Sequence, residues 1–196
     1  MTIREIKPGD NVLITGIGGG VALISLLFGV HAGANVFVTS SSEEKLAKAA
    51  ELGASGGVNY RTDASWQKTL LQMLPTEKYL NVIIDGAGGE ENWKAFSRLI
   101  GHGGIIVSYG ATAGTSVPIL LPMIFLKQVE IRGTTMGNAE EFEAMVKFVE
   151  QHSIKPIVSQ VVPGLESAES AFSVMKAGSQ FGKLVIRVSA SGSTKL

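Results

Sequence analysis

The stretch Asn11-Val-Leu-Ile-Thr-Gly-Ile-Gly-Gly-Gly-Val-Ala22 decides how this chain folds. Asn11 to Thr15 is a short apolar run, the composition of a strand buried on both faces of a parallel sheet. It stops in glycines. The apolar segment that follows, Val21 to Ala32, has helical length, and Gly33 closes it as a residue able to take positive φ beyond a helix end. A glycine-rich turn between strand and helix lets the chain turn tightly and lets a diphosphate approach the backbone amides, where the helix dipole favours negative charge. Taken as G-x-G-x-x-G from Gly16, the sixth position is Val21 and that fingerprint is not met. Taken as G-x-x-G-x-x-A, the small residues fall at Gly16, Gly19 and Ala22. The strand–helix setting favours phosphate binding over a turn that holds nothing.

The same beat continues outward from this turn. Strands are expected at 35–39, 57–60, 81–85, 104–109 and 130–133. Helices are expected from a capping box at Ser41 and Glu44 to Gly53, from Asp63 to about Leu74, and from Glu91 to Ile100 with Gly101 as its stop. Asn138 and Glu141 form a second capping box, which opens an amphipathic helix (Phe142, Met145, Val146, Phe148, Val149) to about His152. Strand–helix alternation of this kind implies right-handed crossovers and an α/β fold, a doubly wound parallel sheet with helices on both faces. Residues 1–153 form the expected sheet domain and 154–188 a C-terminal segment with too few elements for its own core. Residues 189–196 have the composition of a flexible tail.

Composition narrows the function. The 196 residues carry 17 Lys+Arg against 17 Asp+Glu and no cysteine, so cysteine-type structural zinc and disulfide scaffolds are excluded. Zero net charge without a basic run argues against nucleic acid as a partner. No stretch reaches the ~18–20 uninterrupted apolar residues of a membrane span, and the first residues lack a signal-peptide layout. The cytoplasm is the default expectation, and a mitochondrial location is compatible with the same sequence.

The end of the second strand bears on which dinucleotide would sit at the turn. An NAD site usually places Asp or Glu ~20 residues past the glycines, to accept from a ribose hydroxyl. Here Thr39-Ser-Ser-Ser42 offers hydroxyls, followed by Glu43, Glu44 and Lys45. Ser40 and Lys45 suit a 2′-phosphate, which a carboxylate would repel, so NADP(H) is the expected cofactor.

Five segments together carry a family resemblance: KPGDNVLITGIGGGVA, GANVFVTSSSEEKLAKAAELGA, VNYRTD, VIIDGAGG and FGKLVIRV. From Lys7 to Val188 they resemble the Rossmann-type cofactor domain of the medium-chain dehydrogenase/reductase superfamily, and within it the zinc-free, quinone-oxidoreductase-like branch. The resemblance implies NADPH-dependent hydride transfer to a small-molecule electrophile, a quinone or an activated alkene or carbonyl. It matches Gly19, Gly20 and Val21 to the diphosphate turn, and Ser40, Lys45 and Tyr60 to the 2′-phosphate end. Gly110, Ala111 and Thr112 match a loop beside the nicotinamide, and Lys183 a segment that approaches the cofactor in some relatives. Members of that family begin with a GroES-like catalytic domain, so this chain is expected to lack the substrate half and to turn over poorly alone. A non-catalytic NADPH-binding sensor or interaction module is the alternative. No catalytic residue is assigned.

Other constellations point away from chemistry. His31, His102 and His152 fall near the ends of three helices without H-E-x-x-H spacing, so no metal site is expected. There is no Tyr-x-x-x-Lys pair, no G-x-x-x-x-G-K-[ST] and no G-x-S-x-G. Asp85 ends a strand at the ligand edge and reads equally as a cofactor contact or a turn former. The apolar run Val117 to Leu126 reads as a packed short helix after Pro122, and the resemblance implies instead the lining of an apolar substrate pocket or a subunit contact. The sixth strand is an expected sheet edge through which a homodimer could pair.

Overall fold

The computed structural model of the protein describes residues 6–75 and 79–188. The expected tail at 189–196 lies outside the described residues. Six strands form one sheet: β1 (Asn11–Ile14), β2 (Asn35–Ser40), β3 (Gly56–Asn59), β4 (Leu80–Asp85), β5 (Ile100–Ser108) and β6 (Glu130–Gly133). Their order is β3-β2-β1-β4-β5-β6, and every pairing is parallel. The chain therefore builds outward from β1 to β3, then returns to the other side of β1 and builds outward again. The seam between β1 and β4 is where such sheets open a crevice at the strand ends.

Alternation along the strands explains the two-sided core. Leu13, Phe37 and Ile83 point to one face, packing with Trp66 and Leu70 of α3 (Trp66–Met73) and Trp93, Phe96 and Leu99 of α4 (Glu90–Leu99). Their neighbours Val12, Ile14, Val36, Val38 and Val82 point to the other face. There they meet Ala22, Leu23 and Leu26 of α1 (Gly20–His31) and Ala49 of α2 (Glu43–Glu51). The Rossmann-type α/β architecture with helices on both faces is borne out. Among the described residues no helix is long and apolar enough to cross a membrane.

Local details differ from expectation where caps compete. The α2 N-cap is Ser42, whose hydroxyl accepts from the Lys45 amide at 3.4 Å; the expected Ser41–Glu44 box does not form. Adjacent serines offer the same capping chemistry, and the β2 ladder, running through Ser40 ↔ Asn59, sets which one starts the helix. β5 begins at Ile100 directly after α4, so Gly101 lies within a strand. Asn138 and Glu141 do form the capping box at the start of α6 (Ala139–Gln151). The apolar stripe of α6 is less covered than its pattern suggests: Phe142 is exposed and no residue of the helix is fully buried. Phe148 nonetheless meets Phe28 of α1 edge-on at 5.4 Å. Pro122 stands in the first turn of α5 (Leu121–Lys127), and Met123 is that helix's buried residue.

Residues 154–188 form β7 (Val158–Pro163), a 3₁₀ turn, α7 (Ala168–Ala177) and β8 (Lys183–Arg187), with β7 and β8 paired in parallel as a separate two-stranded sheet. This unit is tied to the main sheet. Phe181 joins the α1-side core, and the Gly182 amide donates to the Gly18 carbonyl at 2.9 Å.

Candidate functional site

The glycine-rich turn is anchored before it is open. The Ile17 amide donates to the Thr39 carbonyl at 2.8 Å and the Gly16 amide to Thr39 Oγ1 at 3.1 Å, so the turn is pinned to the end of β2. Ile17 is buried in the core. Gly16 and Gly18 have φ of 65° and 134°, which side chains rarely adopt. A Cβ added at Gly16 or Gly19 would meet nothing within 4 Å. Those two faces look onto open space.

That space is a cleft of about 250 Å³. Gly16, Gly19, Gly20 and Val21 line one side, and Gly86, Ala87, Tyr109 and Thr112 the other. Helix α1 enters it with no side-chain cap and no acidic residue in its first turn, leaving its leading amides and dipole unanswered by protein. Two ammonium groups flank the turn. Lys183 lies across Gly20, where a Cβ would come within 2.5 Å of its Nζ, and Lys45 lies beside Gly18 at 3.0 Å on the same measure. Lys45 Nζ donates to the Gly178 carbonyl at 2.6 Å. Burial lowers the Lys45 pKa below the usual lysine range, partly opposed by Glu44.

Asp85 holds the cleft's far wall. The residue is fully buried, and its carboxyl oxygens accept from Thr15 Oγ1 at 2.7 Å, the Ala87 amide at 3.1 Å, the Gly88 amide at 3.1 Å and Trp93 Nε1 at 3.0 Å. Thr15 Oγ1 in turn accepts from the Gly86 amide at 3.1 Å. Of the two roles open to Asp85 in the sequence, the turn former is the one its geometry fills. The loops after β4 and β5 then zip together: Ala113 donates to the Ala87 carbonyl at 2.7 Å, and Gly110 sits so close that a Cβ would fall 2.8 Å from the Gly86 oxygen.

Of the residues expected at a site, Gly16, Gly19, Gly20, Val21 and Thr112 share this cleft. Gly110 packs against Gly86 and Ala111 against Gly88, so both shape the wall from behind. Ser40 and Tyr60 are neighbours at the ends of β2 and β3, with the Tyr60 amide on the Ser40 carbonyl at 3.1 Å. Tyr60 is exposed, whereas Ser40 is buried with its Oγ accepting from the Ser42 amide at 3.1 Å. Lys45 reaches the glycine turn. Glu43, which the sequence left unassigned, accepts from Asn59 Nδ2 at 2.7 Å and so puts a carboxylate beside the β3 end. Gly86, Ala87 and Tyr109 were missed as cleft residues. Their signal was position alone, at the ends of β4 and β5, next to the seam.

Comparison with known proteins gives a consistent result. A family model described as zinc-binding dehydrogenase matches residues 20–151. The zinc-type alcohol dehydrogenase-like protein YogA of Leptosphaeria maculans is 52% identical over 93% of this chain and 52% of its own length. A zinc-type alcohol dehydrogenase-like protein of Schizosaccharomyces pombe is 34% identical over 94% of the chain and 54% of its own. Crystal structures of an NAD-dependent alcohol dehydrogenase (32% identity, TM-score 0.82, 94% of this chain and 52% of that one) and of a putative alcohol dehydrogenase from Sinorhizobium meliloti 1021 (30%, TM-score 0.83, 93% and 52%) share the fold. The chain spans about half the length of the curated relatives it matches. The zinc in the family's description finds no donor set here: among the described residues no three His, Cys, Asp or Glu side chains gather as metal ligands. A nicotinamide dinucleotide does fit, because the open faces of Gly16 and Gly19 and the uncapped α1 amides form a cradle for a diphosphate.

The Asp85 cluster makes a measurable prediction. In Asp85→Asn an amide NH₂ must replace one acceptor oxygen among buried donors, leaving at least one without a partner. Stability should fall by about 2–4 kcal/mol, read as a lower urea midpoint with an unchanged slope. A change under about 0.5 kcal/mol would show that these bonds do not hold the seam.

Proposed function

Because this chain belongs to the zinc-binding dehydrogenase family, as a cofactor-binding domain of the medium-chain dehydrogenase/reductase superfamily, we propose that it binds NADP(H) for hydride transfer to a quinone or an activated alkene or carbonyl. The carrying observation is the convergence of Lys45, Lys183 and the uncapped start of α1 on Gly18–Gly20, with no acidic residue in the first turn of α1. The α1 amides hold the diphosphate, the open glycine faces admit it, and Lys183 adds charge over Gly20. Bound there, the nicotinamide supplies the hydride. The protein's part is to position it: Thr112 and Tyr109 bound the cleft on the β5 side, and the Asp85 cluster fixes that wall against β1.

Lys45 beside the turn, with hydroxyls and no carboxylate from Thr39 to Ser42, supports NADP(H) over NAD(H). Glu43 at the β3 end favours the opposite choice, since a carboxylate there suits a free ribose hydroxyl. NADPH should bind about tenfold more tightly than NADH, and Lys45→Glu should narrow or reverse that gap in fluorescence titrations. Equal affinities would remove the NADP(H) assignment, and tighter NADH binding that Glu43→Gln weakens would assign the site to NAD(H).

Cofactor binding without turnover is a second reading, favoured by a cleft whose lining carries one ionisable side chain, Tyr109. Val21 and Thr112 at its rim are exposed, so water reaches the reacting end. Quinone reduction by this chain, followed as loss of NADPH absorbance, should be far slower than on the order of 10 s⁻¹. A rate in that range would overturn the binding-only reading.

The β6 edge supports pairing with a second copy. Leu120, Leu121, Phe125 and Leu126 just before it are all more than half exposed. Antiparallel pairing centred on Ile131 would set Glu130 of one copy opposite Arg132 of the other. Sedimentation velocity should find a dimer that Leu121→Glu with Phe125→Glu converts to monomer. A monomer for the unaltered chain at tens of micromolar would refute the pairing.

A further inference from the structure

Among the described residues Tyr109 is the one cleft residue whose side-chain polar group has no partner within the protein. Its backbone does: the amide donates to the Asp85 carbonyl at 2.9 Å, fixing the residue directly after β5. The hydroxyl end of its ring packs against Gly86, where a Cβ would come within 2.4 Å of both Cζ and Oη. Only glycine at 86 lets the phenol occupy that place. The side chain is partly buried and lines the cleft opposite Gly16 and Gly19. Yet its hydroxyl meets no hydrogen-bond partner among the described residues. The nearby hydroxyls are already committed, Thr15 to Asp85 and Thr112 to the Gly86 carbonyl.

A phenol O–H is a donor and seeks an acceptor when water is excluded. Burial first, and the Asp85 charge second, push the Tyr109 pKa above its usual value, so the proton stays on through the neutral range. Strand order fixes which part of a dinucleotide lies within reach. The diphosphate bed is at β1, the ends of β2 and β3 lie on one side of it, and Tyr109 lies on the other, beyond β4. If the adenosine extends toward Ser40 and Tyr60, the opposite half passes Tyr109.

We propose that the Tyr109 hydroxyl donates a hydrogen bond to an oxygen on the nicotinamide-side half of the bound dinucleotide, and that Gly86 is glycine because the phenol must lie over it. This rests on the dinucleotide reading above and adds a positioning residue to it. Removing one such bond costs roughly a factor of 5–10 in affinity.

The test compares the unaltered chain with Tyr109→Phe, titrated with NADPH and, separately, with 2′,5′-ADP, which carries only the adenosine half. Tyr109→Phe keeps the ring over Gly86, so its urea midpoint should match that of the unaltered chain. NADPH binding should weaken five- to tenfold while 2′,5′-ADP binding stays within twofold. Gly86→Ala, whose Cβ displaces the ring, should give the same split. Parallel weakening of both ligands would mark Tyr109 as merely structural, and no weakening of either would remove it from the site; each overturns the assignment. Failure of the unaltered chain to bind NADPH or NADH at all would overturn the dinucleotide reading as well, which separates the two failures.

Discussion

The carboxyl group of Asp85, sealed from water and paired with no cation among the described residues, organises the place where three strands end. Such a group is costly to bury unless its oxygens are fully engaged. Here Thr15 from β1, two amides of the loop after β4, and the Trp93 indole from α4 all donate to it. These four donors come from three parts of the seam, so satisfying one carboxyl fixes the β1 end, the β4 loop and α4 relative to one another. Once that loop is set, Gly86 has one position, and the segment 109–114 can lie against it backbone to backbone. The far wall of the cleft is a consequence of this one satisfied acid.

The near wall depends on the C-terminal segment. Gly182 bonds the turn at Gly18, Phe181 enters the α1-side core, and Lys183 is thereby laid over Gly20. Lys45 closes the same junction from α2 through the Gly178 carbonyl. Positive charge at the turn is thus assembled from residues more than a hundred positions apart. The β7–β8 unit also carries exposed apolar side chains, among them Val161, Leu165, Phe172 and Val185.

Much of this was legible in the chain, and the reasons are local. Short continuous apolar runs beside glycine read directly as parallel strands buried on both faces. All six strands of the sheet are legible in this way, and the largest difference is at β5, which starts at Ile100 instead of Gly104. The Asn138–Glu141 box was legible because the cap and its partner are three residues apart and compete with nothing. The Ser41–Glu44 box failed because three successive serines can each cap, and pairing with a distant strand breaks the tie. The α6 stripe misled for a related reason: periodicity shows that a face is apolar, and only packing shows whether something covers it.

By itself the sequence determined the alternation of elements, hence the doubly wound sheet, and the glycine turn that opens α1, because both are set by propensity and steric freedom within a few residues. What surrounds that turn was decided by tertiary structure alone. Asp85 became a buried hub, Tyr109 a lining residue with an idle hydroxyl, and Lys183 a neighbour of Gly20 through contacts between segments far apart in the chain. No spacing rule encodes such contacts, since a hydrogen bond or a close approach is fixed by where the sheet brings two strand ends together.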